Sequence, residues 1–97
     1  MRDVREEPDV QKAVDAAYLR WPRTGDAWEA VTWALAHDPF SAGPPISESG
    51  LTRIFVFEGA QAIRMPTVRA VYVIEPAVVI VRAVVFEDSV HMYAGRA

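Results

Sequence analysis

Apolar residues first recur along the chain at helical spacing and then crowd into strand-like runs. Val10, Ala13, Val14, Ala17 and Trp21 follow the period of a helix face. Pro8-Asp9 supplies the start, because Asp9 can accept from first-turn amides and its charge suits the positive helix end. Pro22 stops the pattern, so the spacing predicts a helix over 9–21. Thr24-Gly25 reads as a turn. Asp26 and Glu29 then stand at capping-box spacing, with Asp in place of the usual Ser or Thr, and open a second helix over 26–37. Trp28, Val31 and Leu35 form its apolar stripe, with Ala27 and Ala34 alongside, and Asp38-Pro39 ends it. Two amphipathic helices joined by a short turn make a helical hairpin.

Residues 40–50 are rich in Ser, Gly and Pro and read as a loop. Beyond Gly50 the pattern changes. Ile54, Phe55, Val56 and Phe57 mark a strand over 51–58, and Val-rich strands follow over 67–75 and 77–86, meeting at Glu75-Pro76. A two-residue connection sets Ile74 opposite Ala77, Tyr72 opposite Val79, Ala70 opposite Val81 and Val68 opposite Ala83. This apolar face is expected to pack on the helices. The other face then pairs Val73 with Val78, Val71 with Ile80 and Arg69 with Arg82. Two arginines directly across a sheet repel unless an anion lies between them. Pro76 fits a tight two-residue turn poorly, and a three-residue loop would put the arginines on opposite faces. The expected fold class is therefore α+β, with a helical hairpin packed on one face of an antiparallel sheet of three to four strands. Residues 1–97 read as one domain, with a charged segment at 1–8 and a tail at 88–97.

The 97 residues are 52% hydrophobic and 24% charged, which suits a chain with a core rather than a disordered tail. No internal repeat is visible. The absence of cysteine excludes a disulfide framework, a thiolate zinc site and a thiol nucleophile. No run of eighteen apolar residues is present, so no membrane span is expected, and the charged start lacks the apolar region of a signal peptide. The expected location is cytoplasmic. Net charge is −3, unlike the basic domains typical of generic nucleic-acid binders. The halves differ: residues 1–50 hold nine acids against five Lys/Arg, and residues 51–97 hold four acids against five Arg. An anion-facing surface belongs in the second half. Lys12 is the only lysine. Arg suits fork-like contacts to carboxylate or phosphate, although genomic base composition produces the same bias.

The order of two helices, a loop and three antiparallel strands ending in a hairpin resembles the RelE/ParE family of bacterial toxins. These are the toxin halves of type II toxin–antitoxin pairs. The local matches are Trp33-Ala-Leu-Ala-His-Asp-Pro-Phe40 before a Gly/Pro loop, and Val68-Arg69-Ala70-Val71-Tyr72-Val73-Ile74, which looks like the family's Tyr-Arg-Leu-Val-Tyr-x-Ile strand. Val78-Val79-Ile80-Val81-Arg82-Ala83-Val84 looks like the strand that follows, and His91-Met92-Tyr93 sits where the family often has a Val-Tyr pair. The resemblance covers about residues 9 to 93 and consists mostly of hydrophobic patterns. The family opens with a β-strand, whereas Met1–Glu7 offers only Val4 as an apolar residue beyond Met1. That leaves the sheet at three or four strands.

The resemblance implies an antitoxin partner and, for ribonuclease members, basic residues on the open sheet face. Arg69 matches the middle-strand arginine and Arg53 one basic residue of the preceding strand. Cleavage by 2′-hydroxyl attack needs a base, an acid and cations for the phosphorane charge. The candidate catalytic residues are Arg53, Arg69, Arg82, His91 and Tyr93. Glu87 and Asp88 stand where the family's further arginine would be. The plainer alternative pairs Arg69 and Arg82 with carboxylates on the sheet and has His91 and Tyr93 pack a tail. The expectation is therefore a toxin-family protein that is not a ribonuclease, either a gyrase-poisoning type or an inactive relative. An mRNA-cleaving ribonuclease acting at the ribosome is the alternative, and a small homo-oligomeric structural domain is a third. No cofactor is implied, and His37, Asp38 and His91 lack the partners a metal site needs. Trp33 lies roughly 160° from the inward stripe at about 100° per residue. Either the loop over 40–50 covers it, or it is exposed as an interface anchor for an antitoxin or a second copy.

Overall fold

Two Val-rich strands pair to form the centre of the sheet. The computed structural model describes residues 1–89. Strand β1 (Asp3–Glu6) leads into helix α1 (Pro8–Tyr18) and helix α2 (Thr24–His37), and a single turn, α3 (Pro39–Ala42), follows. Strands β2 (Thr52–Phe57), β3 (Thr67–Ile74) and β4 (Val78–Glu87) complete the chain order. The sheet runs β1-β4-β3-β2, with β2, β3 and β4 antiparallel in sequence and β1 parallel to β4. The fold is α+β as expected, with four strands, and the edge strand β1 makes the sheet mixed rather than wholly antiparallel.

The two main helices begin and end differently from the sequence reading, for physical reasons. Pro8 occupies the first turn of α1, where its missing N–H costs nothing, and Asp9 lies inside the helix rather than capping it. The last turn stops at Tyr18, yet Trp21 beyond it is still buried. Helix α2 starts at Thr24, before the capping-box position. The buried Thr24 hydroxyl contacts the carbonyls of Ala17 (3.1 Å) and Trp21 (2.7 Å), which ties the start of α2 to the end of α1. Asp26 pairs with Arg23 instead of capping.

The core lies between the helices and one face of the sheet. Val10, Val14 and Ala17 of α1 and Ala27, Trp28, Val31 and Leu35 of α2 meet Val68, Ala70, Tyr72, Ile74, Val79 and Val81. The expected inward face of the β3–β4 hairpin is observed at Val68, Ala70, Tyr72, Ile74, Val79 and Val81, whereas Ala77 and Ala83, expected on it, are exposed. The expected register is not observed. Ile74 pairs with Val79 and Tyr72 with Val81, while Val71 pairs with Ala83. The turn closes through Glu75 N–H to the Val78 carbonyl (2.9 Å), placing Pro76 and Ala77 at its tip. That shifts the pairing by two and leaves the faces unchanged. Arg82 is then an extra residue on β4, a β-bulge, and beyond it the faces of β4 exchange. Val84 and Phe86 turn towards the core, Phe86 lying 6.0 Å from the Trp28 ring, and Ala83 is exposed.

Leu35 is fully buried and Trp33, two residues earlier, is 63% exposed. Leu35→Ala should lower unfolding free energy by about 2–5 kcal/mol, whereas Trp33→Ser should stay within about 0.5 kcal/mol of wild type. Urea denaturation followed by circular dichroism checks both, and an unchanged midpoint for Leu35→Ala would show that the stripe is misassigned.

Candidate functional site

The three arginines singled out on the strands do not converge. Arg53 shares the inward face of β2 with Phe55 and Phe57, opposite Tyr72. Its Nε donates to the Gly50 carbonyl (2.8 Å), and its Nη1 donates to the carbonyls of Phe40 and Gly43 (both 2.9 Å). The guanidinium also sits 5.5 Å from the Phe40 ring centroid. Gly43 is buried against β2, where a Cβ would stand 1.9 Å from the Ile54 carbonyl oxygen, so only glycine allows this approach. Arg53 therefore clasps the segment over 40–50 to the sheet.

Tyr72 anchors the same segment from the neighbouring strand. Its buried hydroxyl donates to the Pro39 carbonyl at 2.6 Å. Burial pushes the phenol above its ordinary pKa, and the nearby Arg53 charge opposes that shift.

Arg69 lies on the open face and its Nε contacts Glu87 Oε1 at 2.7 Å. Arg82, at the bulge, reaches Glu7 Oε1 at 3.0 Å. The expected Arg69–Arg82 juxtaposition is absent because the turn shifts the pairing by two and the bulge by one more, which sets Val85 opposite Arg69. The arginines instead pair with carboxylates, the plainer alternative raised from sequence. Both pairs are half-exposed, so each contributes only about 0–1 kcal/mol. Asp88 turns towards the end of α1, accepting from Arg20 Nη2 (2.6 Å) and the Trp21 indole (2.9 Å). The acids that stand where the resemblance implies an arginine thus join strand to strand and strand to helix. His91 and Tyr93 lie outside the described residues.

A cleft of about 460 Å³ opens beside Asp88, lined by Arg20, Trp21, Gln61, Arg64, Met65 and Ser89. Ser89 donates to the Met65 carbonyl (2.8 Å) and meets Thr67 Oγ1 (3.1 Å) at its base.

The segment over 40–50 does not cover Trp33. Its indole stacks on the His37 ring, centroids 4.1 Å apart and planes 19° apart, and His37 Nδ1 lies 2.8 Å from the Trp33 carbonyl. Phe40, also partly exposed, lies under the Arg2 guanidinium. Trp33, His37 and Arg2 border a shallow groove on the outer side of α2. Among the described residues no cluster of His, Asp or Glu is placed to hold a metal ion, and no helix is long and apolar enough to cross a membrane.

No family model, curated protein or solved structure matches the chain.

The Tyr72–Pro39 contact predicts a pH-dependent loss. Tyr72→Phe leaves a buried carbonyl without its donor and should cost about 1–3 kcal/mol at pH 7. A phenol whose folded-state pKa is raised stabilises the fold fully below its unfolded value of about 10, and that contribution falls as pH rises through the folded value. The gap between wild type and Tyr72→Phe in urea titrations should therefore shrink above about pH 10. A gap that widens there would contradict the assignment.

Proposed function

We propose that the chain is a toxin-family component of a bacterial toxin–antitoxin pair, of RelE/ParE type, and that it acts without cleaving RNA. The observation that carries this reading is β1. The resemblance implies an initial strand that the residue pattern of Met1–Glu7 hardly suggests, and Asp3–Glu6 pairs with β4 at the sheet edge. The order strand, two helices, three strands then follows the implied arrangement throughout.

The electrostatics favour a target other than RNA. Arg53 is engaged with three backbone carbonyls, Arg69 with Glu87 and Arg82 with Glu7. Phosphate contacts dominate nucleic-acid affinity, and in this chain of net charge −3 those sheet cations already face carboxylates or carbonyls. Loss of a single transition-state contact costs about 100- to 1000-fold in rate. The reading is a gyrase-poisoning type or an inactive relative, held in the cytoplasm by a cognate antitoxin. The exposed Trp33–His37 stack is the antitoxin's anchoring point, a flat aromatic surface of the kind enriched in interface hot spots.

Induced expression with and without the neighbouring gene tests the pair. The expected result is co-purification of the neighbouring product, lost in Trp33→Ser, with any growth arrest relieved by co-expression. The absence of both growth arrest and a co-purifying product would overturn it. Purified protein in a ribosome-dependent cleavage assay should leave mRNA intact. Cleavage that disappears in Arg69→Ala would establish the ribonuclease alternative instead.

A further inference from the structure

Helix α2 turns Trp28, Val31 and Leu35 inward and leaves Trp33 on its outer side, 63% exposed. One face of the Trp33 indole is taken, because the His37 ring, one turn further on, stacks against it at 4.1 Å. The exposure therefore belongs to the ring edges and to the opposite face, which looks towards the start of the helix. A hollow of about 320 Å³ opens on that side, lined by Asp26, Glu29, Ala30 and Trp33. Asp26 is already paired with Arg23. Glu29, one turn before Trp33, is exposed, and among the described residues its carboxylate meets no cation. An open aromatic face and a carboxylate thus border the same hollow.

We propose that this corner receives a single arginine side chain of a partner chain, which rests on the reading that a partner anchors at Trp33. An aromatic face attracts a guanidinium through its ring quadrupole, and a carboxylate accepts two of its N–H groups in a fork. Arginine fits better than the other cations. Its planar group stacks flat on an indole while its edge reaches the carboxylate, which the compact ammonium of lysine does not do. A quaternary ammonium is held in a cage of aromatic walls, and here Trp33 is the one aromatic wall. The surroundings favour a cation over an anion. Residues 1–50 hold nine acids against five Lys/Arg. In the adjoining hollow on the β1 side, which Asp3 and Glu29 also line, Arg2 is drawn away to the Glu75 carbonyl (3.2 Å) and the Phe40 ring (5.6 Å). The indole is also held ready. His37 Nδ1 lies 2.8 Å from the Trp33 carbonyl, so the ring that backs the indole is itself fixed, and a ring already in place loses less freedom when a guest stacks on it.

The test is a titration of the isotopically labelled chain with acetyl-Gly-Arg-Gly-amide, followed by nuclear magnetic resonance on the three tryptophan indole N–H signals. The Trp33 indole and the Glu29 amide should shift and saturate at roughly millimolar peptide, while the buried Trp21 and Trp28 indoles stay in place. Citrulline in place of the peptide's arginine keeps the shape, removes the charge and should weaken binding by about 5- to 20-fold. Lysine there should weaken it by about 2- to 5-fold. Glu29→Gln should weaken binding of the arginine peptide by about 2- to 5-fold, and Trp33→Ala should remove the saturable shift at Glu29. Both positions are exposed, so the remaining signals should keep their places in each variant. No saturable shift at Trp33, equal binding of the citrulline peptide, or undiminished binding by Glu29→Gln would overturn the proposal. A stronger response to acetyl-Gly-Glu-Gly-amide would overturn it in favour of an anionic guest at Arg2. The titration needs no partner, so its failure strikes this proposal alone, and failure of the neighbouring product to co-purify strikes the toxin-family reading.

Discussion

The pairing of β3 with β4 is the contact on which the rest of the structure depends. Both strands are central, and their inward residues meet both helices. Register decides which side chains those are. A shift of two residues preserves the faces, and a shift of one exchanges them. The turn at Pro76-Ala77 makes the first kind of shift and the bulge at Arg82 makes the second. Val79 and Val81 therefore point inward before the bulge, and Val84 and Phe86 after it. Phe86 can then pack against Trp28 of α2, which closes the core at the far end of the sheet.

The charge arrangement follows from the same register. With the tight two-residue turn Arg69 and Arg82 would stand directly opposite and demand an anion between them. With the observed turn and bulge, Arg82 meets Glu7 in the link between β1 and α1, while Arg69 meets Glu87 on β3's own neighbour. Arg53 turns inward and holds carbonyls of the segment that follows α2. The second half of the chain is net positive, yet these cations are used in construction. Exposed pairs of this kind add little stability, but they leave the sheet locally neutral.

Much of this was legible in the residues, and the exceptions have identifiable causes. Helical periodicity located Val10, Val14 and Ala17, and then Trp28, Val31 and Leu35, because a buried stripe leaves a repeating signal. Strand β1 was obscure because Asp-Val-Arg-Glu carries one apolar side chain, and it is the backbone ladder to β4 together with Val4 against the core that makes it a strand. The bulge left no mark, since Val81-Arg82-Ala83-Val84-Val85 reads plausibly in either parity. Arg53 left an ambiguous one: it stands in phase with Phe55 and Phe57, but Ile54 and Val56 are as apolar, so alternation alone does not say which set faces the core. The reach of Tyr72 to the Pro39 carbonyl joins residues 33 apart, and no local pattern encodes it.

The central claim is that the wider turn at Pro76-Ala77 and the β4 bulge together set the register that separates Arg69 from Arg82 and puts both to structural work. Cross-strand nuclear Overhauser contacts measure it most directly. Backbone protons of Arg69 should contact those of Val85, and Tyr72 should contact Val81 while Val71 contacts Ala83. Contacts from Arg69 to Arg82, with Tyr72 opposite Val79, would contradict the account.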